Sequence, residues 1–390
     1  MSHSYDPRKL LKQISNHLLQ ALFARYDVLQ ELPWDTLSET QMEPVFAAWQ
    51  QLPDARRKQI QVALQDVHAI AEGRGLKIFT EELCRNCPQH VSTFAAMEDR
   101  RDKALWAYLT LPDAFEQAAL FARTDALEGG RYWVKRNSLP RRPVTVDQHV
   151  VNSLQRELHE HYWPTEMRGK HCKVEHYDRS SGAQYFFAYL DDWPDRQLVF
   201  DDDGEMVPHS ERLAFSNVFV FNPADGSLEL AAKGGTAVHL PLQQAFCRSV
   251  LGIDVGPADP LRPAYRLDVL LNPSFTFITD PADRIAQVFL RSVRIGPAIV
   301  AHHAVDYLEM KFAKGMELSA VIESMQHCVG PDVFIRRATF ELLFLPDANH
   351  RVKPMSFYVT APSTCNLKSK PDKMRLIGER CLQLWEISDG

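Results

Sequence analysis

Five side chains able to bind a metal stand within nineteen positions of "LHEHYWPTEMRGKHCKVEH", residues 158–176: His159, His161, His171, Cys172 and His176. Zinc holds nitrogen and sulfur donors at about 2.0 to 2.3 Å, so the donor atoms must converge within a few ångströms. The stripe Val151, Leu154, Leu158 predicts a helix from about Val146 to Tyr162. Two positions along a helix differ by roughly 200°, so His159 and His161 diverge. Cys172 and His176 share a face of the strand predicted at "KVEHY", but lie roughly 13 Å apart along it. The stretch reads as a helix end, a turn and a strand start.

A second donor set is Cys84-x-x-Cys87-x-x-His90. Spacing of three on a helix places both thiols on one face. A structural zinc needs four ligands, however, and no second CxxC or HxxxH lies nearby. Cys87 also continues the apolar stripe Leu83, Val91, Phe94, so a core cysteine is the expectation. The carboxylates of "DDWPD" and "DDDGE", residues 191–195 and 201–205, could hold magnesium. Their Asp, Pro and Gly content predicts solvated turns instead.

"DYLEMKF" offers Glu309-x-Lys311, with Asp280 or Asp283 upstream. A metal-dependent phosphodiesterase or nuclease would use the carboxylates to bind Mg2+ and the lysine to polarise the attacking water. On a strand, Glu309 and Lys311 project from the same face, as that chemistry requires. No phosphate-binding GxxxxGK[ST] loop, GxGxxG fingerprint, GxSxG elbow or HExxH pair occurs. No cofactor is expected outside the nuclease reading.

The remaining feature is "RYWVKRNSLPRR". Arg131, Lys135, Arg136, Arg141 and Arg142 stand in twelve residues, interleaved with Tyr132 and Trp133. Arginine forks phosphate bidentately, and aromatic faces stack on bases. Lys170 extends this basic character toward the histidine-rich stretch. The competing expectation is a solvated linker whose cations pair with the acidic segment that follows.

Charge distribution sharpens this. Lys+Arg against Asp+Glu counts 14 to 18 over residues 1–128, 9 to 5 over 129–176, 5 to 12 over 177–256 and 16 to 15 over 257–390. The net charge of -6 excludes a generally basic nucleic-acid binder but leaves a local patch possible.

The elements that must position these residues divide into four. Residues 1–128 carry helical periodicity throughout, from the stripe Leu10, Ile14, Leu18, Leu22, Leu29 to a helix opening at Pro112-Asp113. Ser38-x-x-Gln41 reads as a capping box. Residues 129–145 read as a basic linker rich in Gly and Pro. Residues 146–256 combine a helix with short apolar strands, "NPADG" supplying a hairpin turn. Residues 257–390 add strands at "YRLDVLL", "QVFLRSVRI" and "AVDYLEMKF", a hairpin around "PDANH" and a final helix. The expected fold class is α+β: an all-helical N-terminal domain, then an antiparallel-sheet-rich region.

Seven cysteines without a framework pattern, and an N-terminal stretch lacking an apolar core region, lead to the expectation of a reduced, cytoplasmic protein without membrane spans. The functional expectation leans away from catalysis. It is a binding or regulatory subunit engaging an anionic partner, nucleic acid foremost, through Arg131 to Arg142. The nuclease is the first alternative. The second is a protein-interaction scaffold docking a partner through residues 1–128.

Overall fold

A computed structural model describes residues 5–38, 42–72, 75–125, 133–179, 182–201, 203–259, 261–296, 298–300, 303–305, 307–313, 316, 318–328, 334–346, 354–370 and 372–388. The chain divides into two compact units, Met1–Ala126 and Leu127–Gly390. The architecture is α+β, with helices concentrated toward the N-terminus and two antiparallel five-stranded sheets beyond.

The first unit is built from α1 (Pro7–Leu11), α2 (Asn16–Arg25), α3 (Glu43–Gln50), α4 (Asp54–Glu72), α5 (Gly75–Asn86), α6 (Val91–Ala96), α7 (Arg100–Thr110) and α8 (Pro112–Asp125). Leu18, Leu22, Leu64, Val67, Phe79, Leu83 and Leu105 form part of its buried interior. The stripe read as one helix from Leu10 is in fact two. Ser15 turns extended at ψ 139°, and its N–H and hydroxyl both bond the Asp102 carboxylate on α7. A tertiary acceptor thus breaks a helix that local spacing would continue. α3 begins at Glu43, and residues 39–41 of the expected capping box lie outside the described residues.

The second unit runs β1 (Trp133–Arg136), α9 (Gln148–Glu166), β2 (Cys172–Asp178), β3 (Gln184–Phe200), β4 (Met206–Asn222), β5 (Ser227–Ala231) and α10 (Thr236–Phe246). It continues with β6 (Ile285–Gly296), β7 (Ala298–Val300), β8 (His303–Val305), β9 (Leu308–Lys311), α11 (Leu318–Cys328), β10 (Phe334–Phe344), β11 (Met355–Thr360), β12 (Thr364–Cys365) and α12 (Asp372–Leu384). The first sheet has the order β1-β5-β4-β3-β2 and the second β12-β11-β10-β6-β9.

One face of the first sheet packs on α9 and α10. Phe246 stands 5.1 Å from Phe186 and 5.2 Å from Phe219, ring centre to ring centre. The second sheet packs on α11 and α12, with Trp385 just past α12 set 5.1 Å from Phe340. Truncating a buried ring of this kind costs about 3–5 kcal/mol. "YRLDVLL", expected as a strand, forms instead a 3-10 turn at Asp268–Leu271. Leu267 and Leu270 are both buried, and a spacing of three suits a tight helix rather than a strand.

Within residues 129–145, Trp133–Arg136 form β1. This short strand pairs with β5 along one edge, and on the other the Lys135 N–H donates to the Ser363 carbonyl at 2.8 Å. β1 thereby ties the first sheet to the segment entering β12.

Candidate functional site

The described residues of the basic-aromatic stretch do not assemble into one cationic surface. Arg131 and Tyr132 lie outside the described residues. The Lys135 ammonium is 3.5 Å from the Asp225 carboxylate. Arg136 is buried, donating to the Gly256 carbonyl at 2.9 Å and to Gln243 at 3.4 Å. Trp133 is buried beneath the Lys368 ammonium, 5.0 Å from its ring centre. Arg141 and Arg142 are exposed beside the β4–β5 turn, where the Leu139 N–H donates to the Gly226 carbonyl at 2.9 Å. Lys170 precedes β2 at the other end of the sheet, since Cys172 pairs with Leu190 and Asp178 with Gln184. That separation is roughly 20 Å.

The nuclease set is likewise dispersed. Glu309 and Lys311 do share a face of the edge strand β9, opposite Arg294 and Ser292 of β6. Glu309 faces the Arg294 guanidinium at 3.7 Å. Asp280 and Asp283 precede the far end of β6, roughly 25–30 Å away along the strand. Both are instead bridged by Arg380 of α12, at 3.5 and 2.6 Å.

Cys84 is exposed near the end of α5, Cys87 lies half-buried just beyond that end, and His90 packs edge-on against Trp106 at 5.9 Å. Among the described residues, no three His, Cys, Asp or Glu side chains come together as a metal site. The opening histidines have separate local roles. His159 Nδ1–H donates toward the Gly169 and Lys170 carbonyls, His171 faces Asp191, and His176 packs on Phe186.

A small pocket, about 330 Å³ of empty space including its mouth, opens at the seam between the sheets. Trp133, Lys135, Glu229, Tyr265, Cys365, Lys368 and Glu379 line it. Its charges are already matched: Lys368 meets Glu229 at 2.6 Å, Lys135 meets Asp225, and Arg375 meets Glu379 at 3.0 Å. Burial works to raise the Glu229 carboxyl, yet Lys368 and Lys135 hold it below its ordinary range. Burial pushes the Cys365 thiol up to about 12, which removes it as a nucleophile. The seam is a self-neutralised joint.

The hairpin of β3 and β4 presents surface that no other described strand covers. Their inner halves are the centre of the first sheet, but both strands run on well past its other members. β2 pairs with β3 only as far as Leu190, and β5 with β4 only from Val218. Beyond lies a two-stranded arm from Pro194–Arg212 to Phe200–Met206, roughly 20 Å long. Asp201 to Glu205 close it. The Asp201 carboxylate accepts from the N–H groups of Asp203 and Glu205, and Gly204 takes φ +81°.

The arm leaves the sheet through a bulge. Register shifts between Asp191↔Ala214 and Pro194↔Arg212, adding a residue to β3 around Trp193. Arg168, from the turn after α9, fixes this root. Its guanidinium carbon lies 4.4 Å from the Phe215 ring centre, 4.6 Å from Trp193 and 5.1 Å from Tyr162. Its nitrogens meet Glu166 at 2.6 Å and Asp192 at 3.5 Å. Trp193 Nε1–H donates to the Glu166 carbonyl at 2.7 Å. Gly169 (φ +72°) lets the turn pass closely, because a Cβ there would stand 2.9 Å from both Leu190 and Tyr162 side-chain atoms. The histidine-rich stretch is thus the anchor of a projecting ribbon.

Cross-strand register sorts the arm's side chains. Leu198↔Pro208 and Phe200↔Met206 share one face, and Val199↔Val207 occupies the other. Leu198, Phe200 and Met206 are 65%, 74% and 59% exposed. The arm and its turn also carry Asp195, Asp201, Asp203, Glu205 and Glu211 against Arg196 and Arg212. The sequence signal for this arm was present in the short apolar runs "LVF" and "MVP". It was hidden by "DDWPD", which has turn composition but forms a bulge inside a continuous strand.

No protein-family model matches the chain, and no curated protein matches it significantly. Among the described residues, no helix is long and apolar enough to cross a membrane.

Proposed function

We propose that this chain is a non-catalytic binding subunit that engages another protein through the β3–β4 arm. The observation that carries this reading is the pairing of Leu198, Phe200 and Met206 on one exposed face of an isolated two-stranded ribbon. A two-stranded hairpin is marginal in water, and an apolar face on it costs solubility unless something covers it. Clamping of its root by Arg168 supports a presented element rather than a frayed one.

Net acidity of the arm sets the partner class. Nucleic acid and anionic lipid surfaces repel a ribbon carrying five described carboxylates against two arginines. A protein surface with cationic groups around an apolar strip complements it. The expectation of an anionic partner rests, among described residues, on the exposed Arg141 and Arg142 and on Lys170, which is exposed but at the other end of the sheet, and that makes it the weaker reading.

Shortening the arm tests this. Replacing residues 196–210 by a two-residue Asn-Gly turn should leave the urea midpoint of the second unit unchanged, since the removed residues are outside its core. The same change should abolish association with the partner that the intact chain retains on co-purification. Retention of the same partner at the same stoichiometry by the shortened chain would overturn the proposal.

A further inference from the structure

The arm has two edges, and they are chemically unequal. The Asp201 N–H donates to the Glu205 carbonyl at 3.0 Å, so this pair directs its main-chain groups across the hairpin. Antiparallel pairing alternates, and no register shift intervenes from Pro194 to Phe200. The main-chain groups of Val199, Gln197 and Asp195 therefore also point inward. Those of Phe200, Leu198 and Arg196 point out along β3, and those of Met206, Pro208 and Ser210 point out along β4.

The β4 edge is interrupted at its middle, because Pro208 has no N–H to offer. The β3 edge offers N–H and C=O at Arg196, Leu198 and Phe200 without interruption. Three other edge strands of the second unit are less available. β1 is bonded to β5 and to Ser363, the Val174 N–H of β2 is taken by the Gln155 side chain, and β9 is only four residues long. Natural sheets blunt their edges with proline, charge or cover, so an edge with consecutive outward N–H and C=O groups is a template for another strand.

Resting on the reading of the arm as a protein-binding element, we infer that the partner adds a strand to the β3 edge at residues 195–200, and that this strand alternates apolar and basic side chains. The alternation follows from the two faces. On one, the added strand runs beside Leu198 and Phe200, which call for apolar neighbours. On the other it runs beside Asp195, Gln197, Val199 and Asp201, where lysine or arginine finds opposite charge at the two carboxylates and lays its aliphatic stem along Val199. A second copy of the arm does not fit this description. It would set the carboxylates of one ribbon against those of the other.

The test uses the full chain and two synthetic decapeptides, one alternating lysine and valine, the other glutamate and valine, read by fluorescence anisotropy. The lysine–valine peptide should bind and the glutamate–valine peptide should not. Leu198→Pro removes an outward N–H without touching an inner ladder bond, so it should weaken binding by roughly tenfold while far-UV circular dichroism stays unchanged. Leu198→Ala keeps that N–H and should weaken binding by only about twofold to threefold. Equal losses in the two variants would overturn strand addition and leave the arm's apolar face as the docking element. Absence of binding to the lysine–valine peptide, or equal binding of both peptides, would overturn the partner chemistry inferred here. A wild-type dimer that dissociates in Leu198→Pro would overturn the proposal in favour of a second copy.

Discussion

The Arg168 guanidinium lies 4.6 Å from the centre of the Trp193 ring, joining the turn after α9 to the bulge from which the arm departs. The same group reaches Glu166 and Asp192 and also covers Phe215 and Tyr162. A planar, always-charged fork can stack on aromatic faces and pair with carboxylates at once, which an ammonium cannot do equally well. Arg168→Ala should therefore lower stability by about 1–2 kcal/mol. Arg168→Lys should recover only part of this. Amide hydrogen exchange at Asp191 to Trp193 should accelerate in both, and unchanged exchange there would remove Arg168 as the anchor.

Gly169 makes a separate demand on the same turn. Alanine would combine a positive φ with a Cβ 2.9 Å from Leu190 and Tyr162. Gly169→Ala should cost about 2 kcal/mol, read as a lower urea midpoint with an unchanged slope.

The seam between the sheets responds to pH with a defined sign. Glu229 has its folded pKa held below the ordinary carboxylate range, so its contribution is present above about 4.3 and is lost as pH falls through the lower folded value. Burial opposes the charge on Lys368, but Glu229 holds its ammonium above the ordinary value. Its contribution is therefore full below about 10.4 and is lost only as pH rises through the higher folded value. Glu229→Gln should remove part of the acid limb of the stability profile and leave an unpaired lysine. Because Glu229 retains 23% side-chain exposure, the cost at neutral pH should be about 3 kcal/mol, the low end for a broken buried pair. A double replacement by Leu and Met should restore most of it, and an acid limb identical to wild type in Glu229→Gln would refute the assignment.

Thiol chemistry separates core cysteines from accessible ones. Burial raises Cys172, Cys365 and Cys381 to about 12 and Cys247 to about 11, leaving almost no thiolate near neutrality. Cys84 is exposed. Maleimide labelling at pH 7 followed by mass mapping should modify Cys84 within minutes and reach those four only in denaturant. Fast labelling of Cys365 would mean that the seam opens.

Part of this was legible in the sequence and part was not. The α+β class followed from periodicity, because stripes such as Ile60, Leu64, Val67 and alternations such as Phe219, Phe221 report the local geometry that buries them. Phe186 and Phe187 are both buried although they face opposite ways, which a continuous apolar run records but does not explain. The partners that cover the second face come from residues 265 to 379, distant in sequence. Arg136 illustrates the same gap. Its basic neighbours suggest solvent, while its guanidinium is spent on Gly256 and Gln243, more than a hundred residues away. Pro194 misled in the other direction, since a bulge and a turn recruit the same residue types.

Photo-crosslinking tests the central claim most directly. With benzoylphenylalanine at position 200 of the full chain, irradiation in cells should give one discrete adduct with a second, different protein. Combining it with Leu198→Asp and Met206→Asp should erase that adduct. No adduct from position 200, or an adduct unaffected by those two changes, would contradict partner binding through the arm.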